Sequence, residues 1–311
     1  MLNKISILKI FVFSLIIISA ANAQKDTLKP ASQNPSPMVE NTRTHQRIEK
    51  KEYKGLQFKI PGIFKKQVNV FIPERDLTNS GFDLLIHFFS PEYIVEYAAE
   101  KYNGSIITAC INLGAGSSVY YNAFPDSARF TSLISSIIKT ASSKLGRNIK
   151  IKRIIISGFS AGYGAVKKLL SYNSVYNKIS GVLLLDGMHA SYVPERKVLY
   201  QGGHIDTSAY TGFLKFAKDA CRKNSTKKFL FTHSEIFPGT FVSTTESADF
   251  LCSLLNLKIK PVLKWGPLGM QQLSIVHKNH FEILGFAGNT APDHIDHLES
   301  LYFFLNKLMK L

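Results

Sequence analysis

The sequence predicts an α/β fold with a mainly parallel central sheet that helices cover on both faces. Short runs of apolar, often β-branched residues alternate along the chain with segments whose apolar residues recur at helical spacing. Strands that are apolar almost throughout are typical of a sheet buried on both faces, and such sheets are usually parallel. The functional residues of such a sheet lie at the carboxyl ends of its strands. Functional side chains are therefore expected in the segments that directly follow each predicted strand.

The predicted elements alternate regularly from Gln67 to the end of the chain. Strands are expected at Gln67–Pro73, Asp83–Phe89, Ser105–Leu113, Lys152–Ser157, Gly181–Leu185, Lys228–Thr232, Leu273–His277 and Phe281–Phe286. Helices are expected at Tyr93–Tyr102, Phe130–Leu145, Gly164–Tyr172, Thr211–Ala220 and Ile295–Leu311. Gly146 is a helix stop, and Lys278-Asn279 indicates a hairpin turn between the last two strands.

The composition is that of an ordinary globular protein. The 311 residues are 45% hydrophobic and 19% charged, which excludes a disordered or collagen-like chain. Three cysteines are too few for a disulfide framework. Cys110 lies in an apolar run and is expected to be buried, whereas pairing of Cys221 with Cys252 stays open.

The N-terminus has the layout of a secretory signal peptide. Lys4 and Lys9 are followed by an apolar run and by the small-residue site Ala21-Asn22-Ala23. The apolar run is short for a bilayer span, although an uncleaved anchor is the alternative. We expect a signal peptide over 1–23, a flexible polar leader over 24–50 and one catalytic domain over 51–311. The mature protein is then periplasmic or secreted, with no stable membrane anchor.

The chain is strongly basic, with a formal net charge of +16. Its lysines and arginines are scattered in ones and twos, as at Lys65-Lys66 and Lys227-Lys228, without a long basic run that alternates with aromatic residues. This pattern favours a solvated surface over a nucleic-acid groove. We expect no nucleic-acid partner and only weak binding to acidic polymers.

The strongest motif is Gly158-Phe159-Ser160-Ala161-Gly162, which directly follows a predicted strand and precedes a predicted helix. In this context a Gly-x-Ser-x-Gly sequence forms a sharp elbow that presents the serine, and the glycines remove clashes with the neighbouring strand and helix. Ser160 is therefore the candidate nucleophile. With this motif, residues 65–311 resemble the α/β-hydrolase superfamily of serine hydrolases.

The resemblance implies a set of partners for Ser160. The oxyanion hole would use the N–H of Ala161 and one from Phe88 or Phe89, with Phe88 as our choice, although no glycine follows His87 as it does in many relatives. The base would follow the last strand, which points to His294, with His297 and then His280 as alternatives. The acid would follow a strand. Asp186, which directly follows a fully apolar run, is our choice, and Glu235, after a later strand, is the alternative.

The remaining candidates concern the substrate and a metal. Tyr120 and Tyr121, after a strand and a glycine turn, and His189, at a strand end, are candidates for substrate binding. The pairs His277/His280 and His294/His297 have a spacing of three residues, but no cysteine lies nearby. We expect neither a metal nor a cofactor.

The resemblance, together with the signal-like N-terminus, implies an exported serine hydrolase, with an esterase as the first expectation. Ser160 would form an acyl-enzyme with an ester on a small molecule or a polysaccharide, and water would release the acyl group. The alternative is a non-catalytic binding protein on a hydrolase fold that interacts with acidic envelope polymers.

Overall fold

The computed structural model describes residues 43–311. The predicted signal peptide, 1–23, and most of the predicted leader, 24–50, lie outside the described residues. Within 43–311, no helix has the length and apolar character needed to cross a membrane.

A ten-stranded sheet runs through the middle of the described domain. Its order is β1-β2-β4-β3-β5-β6-β9-β12-β11-β10, and the strands from β4 to β12 are parallel while the outer pairs are antiparallel. Strands β7 and β8 form a separate small sheet. The strands are β1 Gly55–Ile60, β2 Val68–Pro73, β3 Gly81–Phe88, β4 Ile106–Ile111, β5 Lys150–Phe159, β6 Ile179–Leu185, β7 Tyr192–Val193, β8 His204–Ile205, β9 Lys228–His233, β10 Lys260–Trp265, β11 Gln271–Lys278 and β12 Phe281–Phe286.

Helices fill the connections between these strands. They are α1 Glu92–Glu100, α2 Ser117–Asn122, α3 Ser127–Leu145, α4 Tyr163–Leu170, α5 Asn173–Tyr176, α6 Thr211–Ala220, α7 Thr244–Leu255, α8 Ala291–Glu299 and α9 Leu301–Lys310.

Two apolar cores lie on the two faces of the sheet. Ile86 belongs to one core with Phe130 of α3, and its neighbour Leu85 belongs to the other with Phe304 of α9. Successive residues of a strand point to opposite faces, so β3 is buried on both sides. The predicted fold class, a mainly parallel sheet with helices on both faces, is confirmed.

Two predicted boundaries were wrong. The terminal helix is broken at Ser300 into α8 and α9, and α8 begins at Ala291 because Thr290 and Asp293 form a capping box. The predicted leader also extended too far, since residues from Arg43 onward pack against α8 and the Arg43 side chain is only 1% exposed.

Candidate active site

Ser160 lies in a sharp turn between β5 and α4, with a φ of 44°. A Cβ on Gly158 would lie 2.7 Å from the carbonyl carbon of Gly162, and one on Gly162 would lie 2.3 Å from the carbonyl oxygen of Phe88. Side chains are therefore excluded at both positions by the helix start and by the neighbouring strand, as the motif predicts. The elbow holds Ser160 at the carboxyl end of the sheet.

Asp186 and His294 are brought together at the same end of the sheet. Asp186 directly follows β6, which lies beside β5, and His294 lies in the first turns of α8. The Nδ1 atom of His294 is 2.6 Å from Oδ2 of Asp186. Ser160, Asp186 and His294 line one small cavity of about 130 Å³. Their chain order, Ser–Asp–His, is that of the α/β-hydrolase fold.

The Asp186 carboxylate is buried and fully hydrogen-bonded. It accepts from the Ser234 N–H at 2.9 Å, from Ser234 Oγ at 2.6 Å and from Thr244 Oγ1 at 2.6 Å, besides His294. Burial alone would raise the pKa of Asp186, but His297, His294 and Ser234 hold this pKa well below its usual range. An ionised carboxylate can only accept, so Nδ1 of His294 carries the proton and Nε2 is left as a base.

Three strand ends at this site have backbone in the left-handed region. Phe89 after β3, Ser160 after β5 and Asp186 after β6 have φ values of 70°, 44° and 42°. Such conformations cost free energy in residues other than glycine and cluster at functional sites. A close approach links two of them, since a Cβ on Gly187 would lie 2.4 Å from the Ser160 carbonyl oxygen.

The backbone amides expected to form the oxyanion hole lie in different environments. The Ala161 N–H lies in the turn after Ser160, where the start of α4 favours negative charge. The Phe89 N–H donates to the carbonyl oxygen of Ile111 at 3.0 Å. Phe88, one residue earlier, is paired within the sheet beside Gly158, with its ring buried. The choice of Phe88 as second donor thus finds no support in this geometry.

The alternative acid and bases lie in other environments. Glu235 is exposed and accepts from the Gly288 N–H at 3.0 Å. His297 is buried, with Nδ1 2.8 Å from Thr232 Oγ1, and burial lowers its pKa to about 4. His280 precedes β12 and therefore lies at the amino end of that strand, away from Ser160.

Of the three residues predicted to bind substrate, the structure places one at the cavities and two away from them. His189 lines both the small cavity and an adjoining cavity of about 460 Å³, and its Nδ1 lies 2.9 Å from the carbonyl oxygen of Val242. Tyr120 is wrong for this role because it is fully buried, with its hydroxyl bonded to the Leu113 N–H at 3.2 Å. Tyr121 lies beneath Lys168 and lines neither cavity.

Acidic and histidine side chains gather in one further place among the described residues. His45, Asp293 and Asp296 offer ligand atoms within 4.8 Å of one another. The Asp293 and Asp296 carboxylates are already bonded to the Arg43 guanidinium, and Asp296 also to Arg47. Bound guanidinium groups make this an ion-pair cluster rather than a cation site. Cys221 and Cys252 are free thiols, as is Cys110.

Sequence reasoning missed two partners of Asp186. Ser234 follows β9, the strand beside β6, and Thr244 begins α7. Ser234 stands two residues after a predicted strand end, and Asp186 was selected by a similar position directly after a strand. Thr244 carries no such signal, because the fold alone brings α7 to this edge.

Comparisons with known proteins give similarities of fold at low sequence identity. No family model matches the chain, and no curated protein sequence matches it. The acylaminoacyl peptidase of Pyrococcus horikoshii aligns over 84% of this chain and 42% of its own, at 12% identity and a TM-score of 0.43. Est1E of Butyrivibrio proteoclasticus aligns over 83% and 99%, at 10% identity and a TM-score of 0.40. One of the structures from work on two Rhizomucor miehei esterases aligns over 84% of each chain, at 12% identity and a TM-score of 0.45. The chain thus spans less than half the length of the peptidase.

Proposed function

We propose that the protein is an exported serine hydrolase that cleaves a carboxylic ester through an acyl-enzyme. The observation that carries the proposal is the 2.6 Å contact between His294 Nδ1 and Asp186, beside a strained serine in the same small cavity. With the proton on Nδ1, Nε2 of His294 would act as the base toward Ser160, which lines the same cavity.

The reaction then follows in two halves. Ser160 Oγ attacks the ester carbonyl while Nε2 of His294 takes its proton, and the resulting oxyanion is stabilised by the Ala161 N–H. The imidazolium, which Asp186 stabilises, gives the proton to the leaving alcohol. A water molecule, deprotonated by His294, attacks the acyl-enzyme and regenerates Ser160.

An ester suits this site better than an amide. Each oxyanion donor is worth about 10²–10³ in rate, and of the two expected donors the N–H near Phe88 is missing because that of Phe89 bonds to Ile111. Esters have better leaving groups than amides and need less of this stabilisation. The adjoining cavity of about 460 Å³ is lined by polar groups that include Lys167, Ser191 and Asp206, which favours a polar substrate, on a small molecule or a polysaccharide.

A fluorophosphonate probe tests the proposal directly. The probe labels only an activated serine, so we expect labelling of the wild-type protein and none of Ser160→Ala. Loss of a triad nucleophile lowers kcat by about 10⁶, which an aryl ester would show in the same variant. An unlabelled wild-type protein, or a Ser160→Ala variant with wild-type rate, would refute the hydrolase.

The second candidate is a non-catalytic binding protein on this fold. The observation that favours it is the Phe89 N–H, which is engaged by Ile111 and so is lost to an oxyanion hole. A wild-type protein that resists the probe but is retained by acidic polymers in a salt-sensitive manner would support this function.

Export is a separate proposal that rests on residues 1–23. N-terminal sequencing of the protein recovered from outside the cytoplasm should begin at or near Gln24. An intact Met1 in the membrane fraction would instead identify the segment as an anchor.

A further inference from the structure

Most of the buried residues of the helix that carries His294 are charged or polar. The buried residues of α8 are Asp293, Asp296, His297, Leu298 and Glu299, of which only Leu298 is apolar. Asp293, Asp296 and Glu299 recur every three residues and so share one side of the helix. Buried carboxylates require bonded partners, so the position of α8 depends on what faces this side.

The partners come from the first described residues of the chain. We call residues 43–48 the strap. Arg43 Nη2 bonds to Asp293 and lies 2.9 Å from Asp296, and His45 Nδ1 lies 2.8 Å from Asp296. The strap therefore binds the carboxylates that lie one residue before and two residues after His294.

The contacts of the strap continue along the whole helix. Arg47 bonds to Asp296 and, at 3.3 Å, to the carbonyl oxygen of Pro292. The backbone N–H of Ile48 donates to Glu299 at 2.9 Å. All three buried acids of α8 are thus satisfied by a segment that precedes them by about 250 residues in the chain.

We propose that the strap positions His294 for catalysis, with Arg43 as its main positioning residue. The inference rests on the proposed function only in taking His294 as the base. Without Arg43, two buried carboxylates on α8 lose a charged partner, and the helix must shift to reach water. A displacement of His294 by about 1 Å is enough to cost about 10²-fold in rate.

The test compares Arg43→Met with two matched variants. Arg43 uses only Nη2, and its Nε and Nη1 have no hydrogen-bond partner, so Arg43→Lys can replace the contact with a single nitrogen. Arg153→Met is the control, because Arg153 makes a two-pronged pair with Asp83 at 2.8 and 2.6 Å elsewhere in the sheet. Each variant is assayed for kcat and KM on an aryl ester and for folding by circular dichroism.

A second readout does not require activity. The proton on His294 Nδ1, hydrogen-bonded to Asp186, should give a far-downfield ¹H NMR signal. The signal is assigned by its absence from the His294→Ala variant. We expect Arg43→Met to lose this signal and about 10- to 100-fold in kcat, with KM changed less than about threefold. Arg43→Lys should recover most of both, and Arg153→Met should keep both.

Several outcomes would overturn the inference. The inference fails if a folded Arg43→Met variant keeps the wild-type kcat and the NMR signal. It also fails if Arg153→Met loses as much kcat and signal as Arg43→Met, because this would indicate general destabilisation. If Arg43→Met does not fold, the half-exposed Arg47→Met takes its place, with the same readouts. A wild-type protein that shows the signal but resists the fluorophosphonate probe would refute the proposed esterase, while the signal would still decide on the strap.

Discussion

Asp186 is the most constrained residue of the site. Its two oxygens accept four hydrogen bonds, from the backbone and hydroxyl of Ser234, from Thr244 and from His294. Each donor favours the ionised form, so the carboxylate keeps its charge although it is buried. A fixed anion at this point sets both the tautomer and the orientation of His294.

Replacing Asp186 by Asn should lower kcat by about 10⁴, because an amide NH₂ group facing Nδ1 favours the wrong imidazole tautomer. The kinetics of one activated ester would measure this. Glu235→Gln is the matched control and should change kcat little, since Glu235 is exposed and bonds to Gly288. An active Asp186→Asn beside a dead Glu235→Gln would transfer the role to Glu235.

The two histidines of α8 should have different roles, His294 in catalysis and His297 in stability. His294→Ala should abolish acyl-enzyme formation. His297→Ala should keep kcat within about tenfold but lower the free energy of unfolding by about 1–3 kcal/mol, because Thr232 Oγ1 loses a buried partner. Probe labelling and urea denaturation separate these effects. A stable but unreactive His297 variant, beside a reactive His294 variant, would reverse the assignment.

At the scale of elements, four neighbouring parallel strands build the site. Ser160 follows β5, Asp186 follows β6, Ser234 follows β9, and β12 leads through a short loop to α8. The ends of β5 and β6 approach so closely that Gly187 lies against the Ser160 backbone. The close contact between the ends of β5 and β6 therefore requires glycine at position 187.

Gly187→Ala should displace the elbow, since its Cβ would lie 2.4 Å from the carbonyl oxygen and 2.7 Å from the nitrogen of Ser160. We expect probe labelling to slow at least about tenfold, with a loss of stability of about 1–3 kcal/mol. Gly181→Ala, within the preceding strand β6, is the control, because its Cβ would meet only side-chain carbons, at 3.2 Å or more. Equal labelling of the two variants would show that the contact is unimportant.

The sequence predicted the elements that carry a strong local pattern. The elbow glycines, the apolar run before Asp186 and the last strand before His294 each mark their residue within a short window, and the structure brings these three residues together. Tyr120 was misplaced because the short helix α2, which turns its ring into the core, was not predicted. The exposed edge strand β10 was missed because most of its residues are exposed and lack an apolar run.

The strap shows why the remaining features of the site could not be predicted from the sequence. Arg43, His45 and Arg47 look like scattered basic residues of a polar leader, and the acids of α8 look like a solvated helix face. Only the fold, which brings positions about 250 residues apart into contact, turns the two patterns into one buried cluster.

At the scale of the whole molecule, buried histidines should make the fold acid-sensitive. Burial lowers the pKa of His87 to about 3 and that of His297 to about 4, and lowers the pKa values of His189 and His233 as well. The unfolded chain binds these protons below pH 6.5 while the folded chain does not, so stability should fall as the pH falls toward 4. Below the usual pKa of Asp186, the loss of its charge removes further stability.

Urea denaturation between pH 4 and pH 7 would measure this dependence. We expect a slope of about 1–3 kcal/mol per pH unit near pH 5. Glu96, whose pKa burial raises to about 7, acts in the opposite direction, as do Glu100, Asp249 and Glu299, whose pKa values burial also raises. His87→Gln should lower the slope by about 1.4 kcal/mol per unit. Stability that is constant or increases toward pH 4 would contradict buried neutral histidines.

The contact of the strap with α8 also sets the order in which the site can assemble. The strap and α8 are separated by about 250 residues, so they cannot meet until nearly all of the described domain has been synthesised. Contacts at such long sequence separation form late in folding, because loop closure must come first. A growing chain therefore contains the elbow serine long before the strap can bind α8, and under the proposed function hydrolysis would begin only after the last helices have been made.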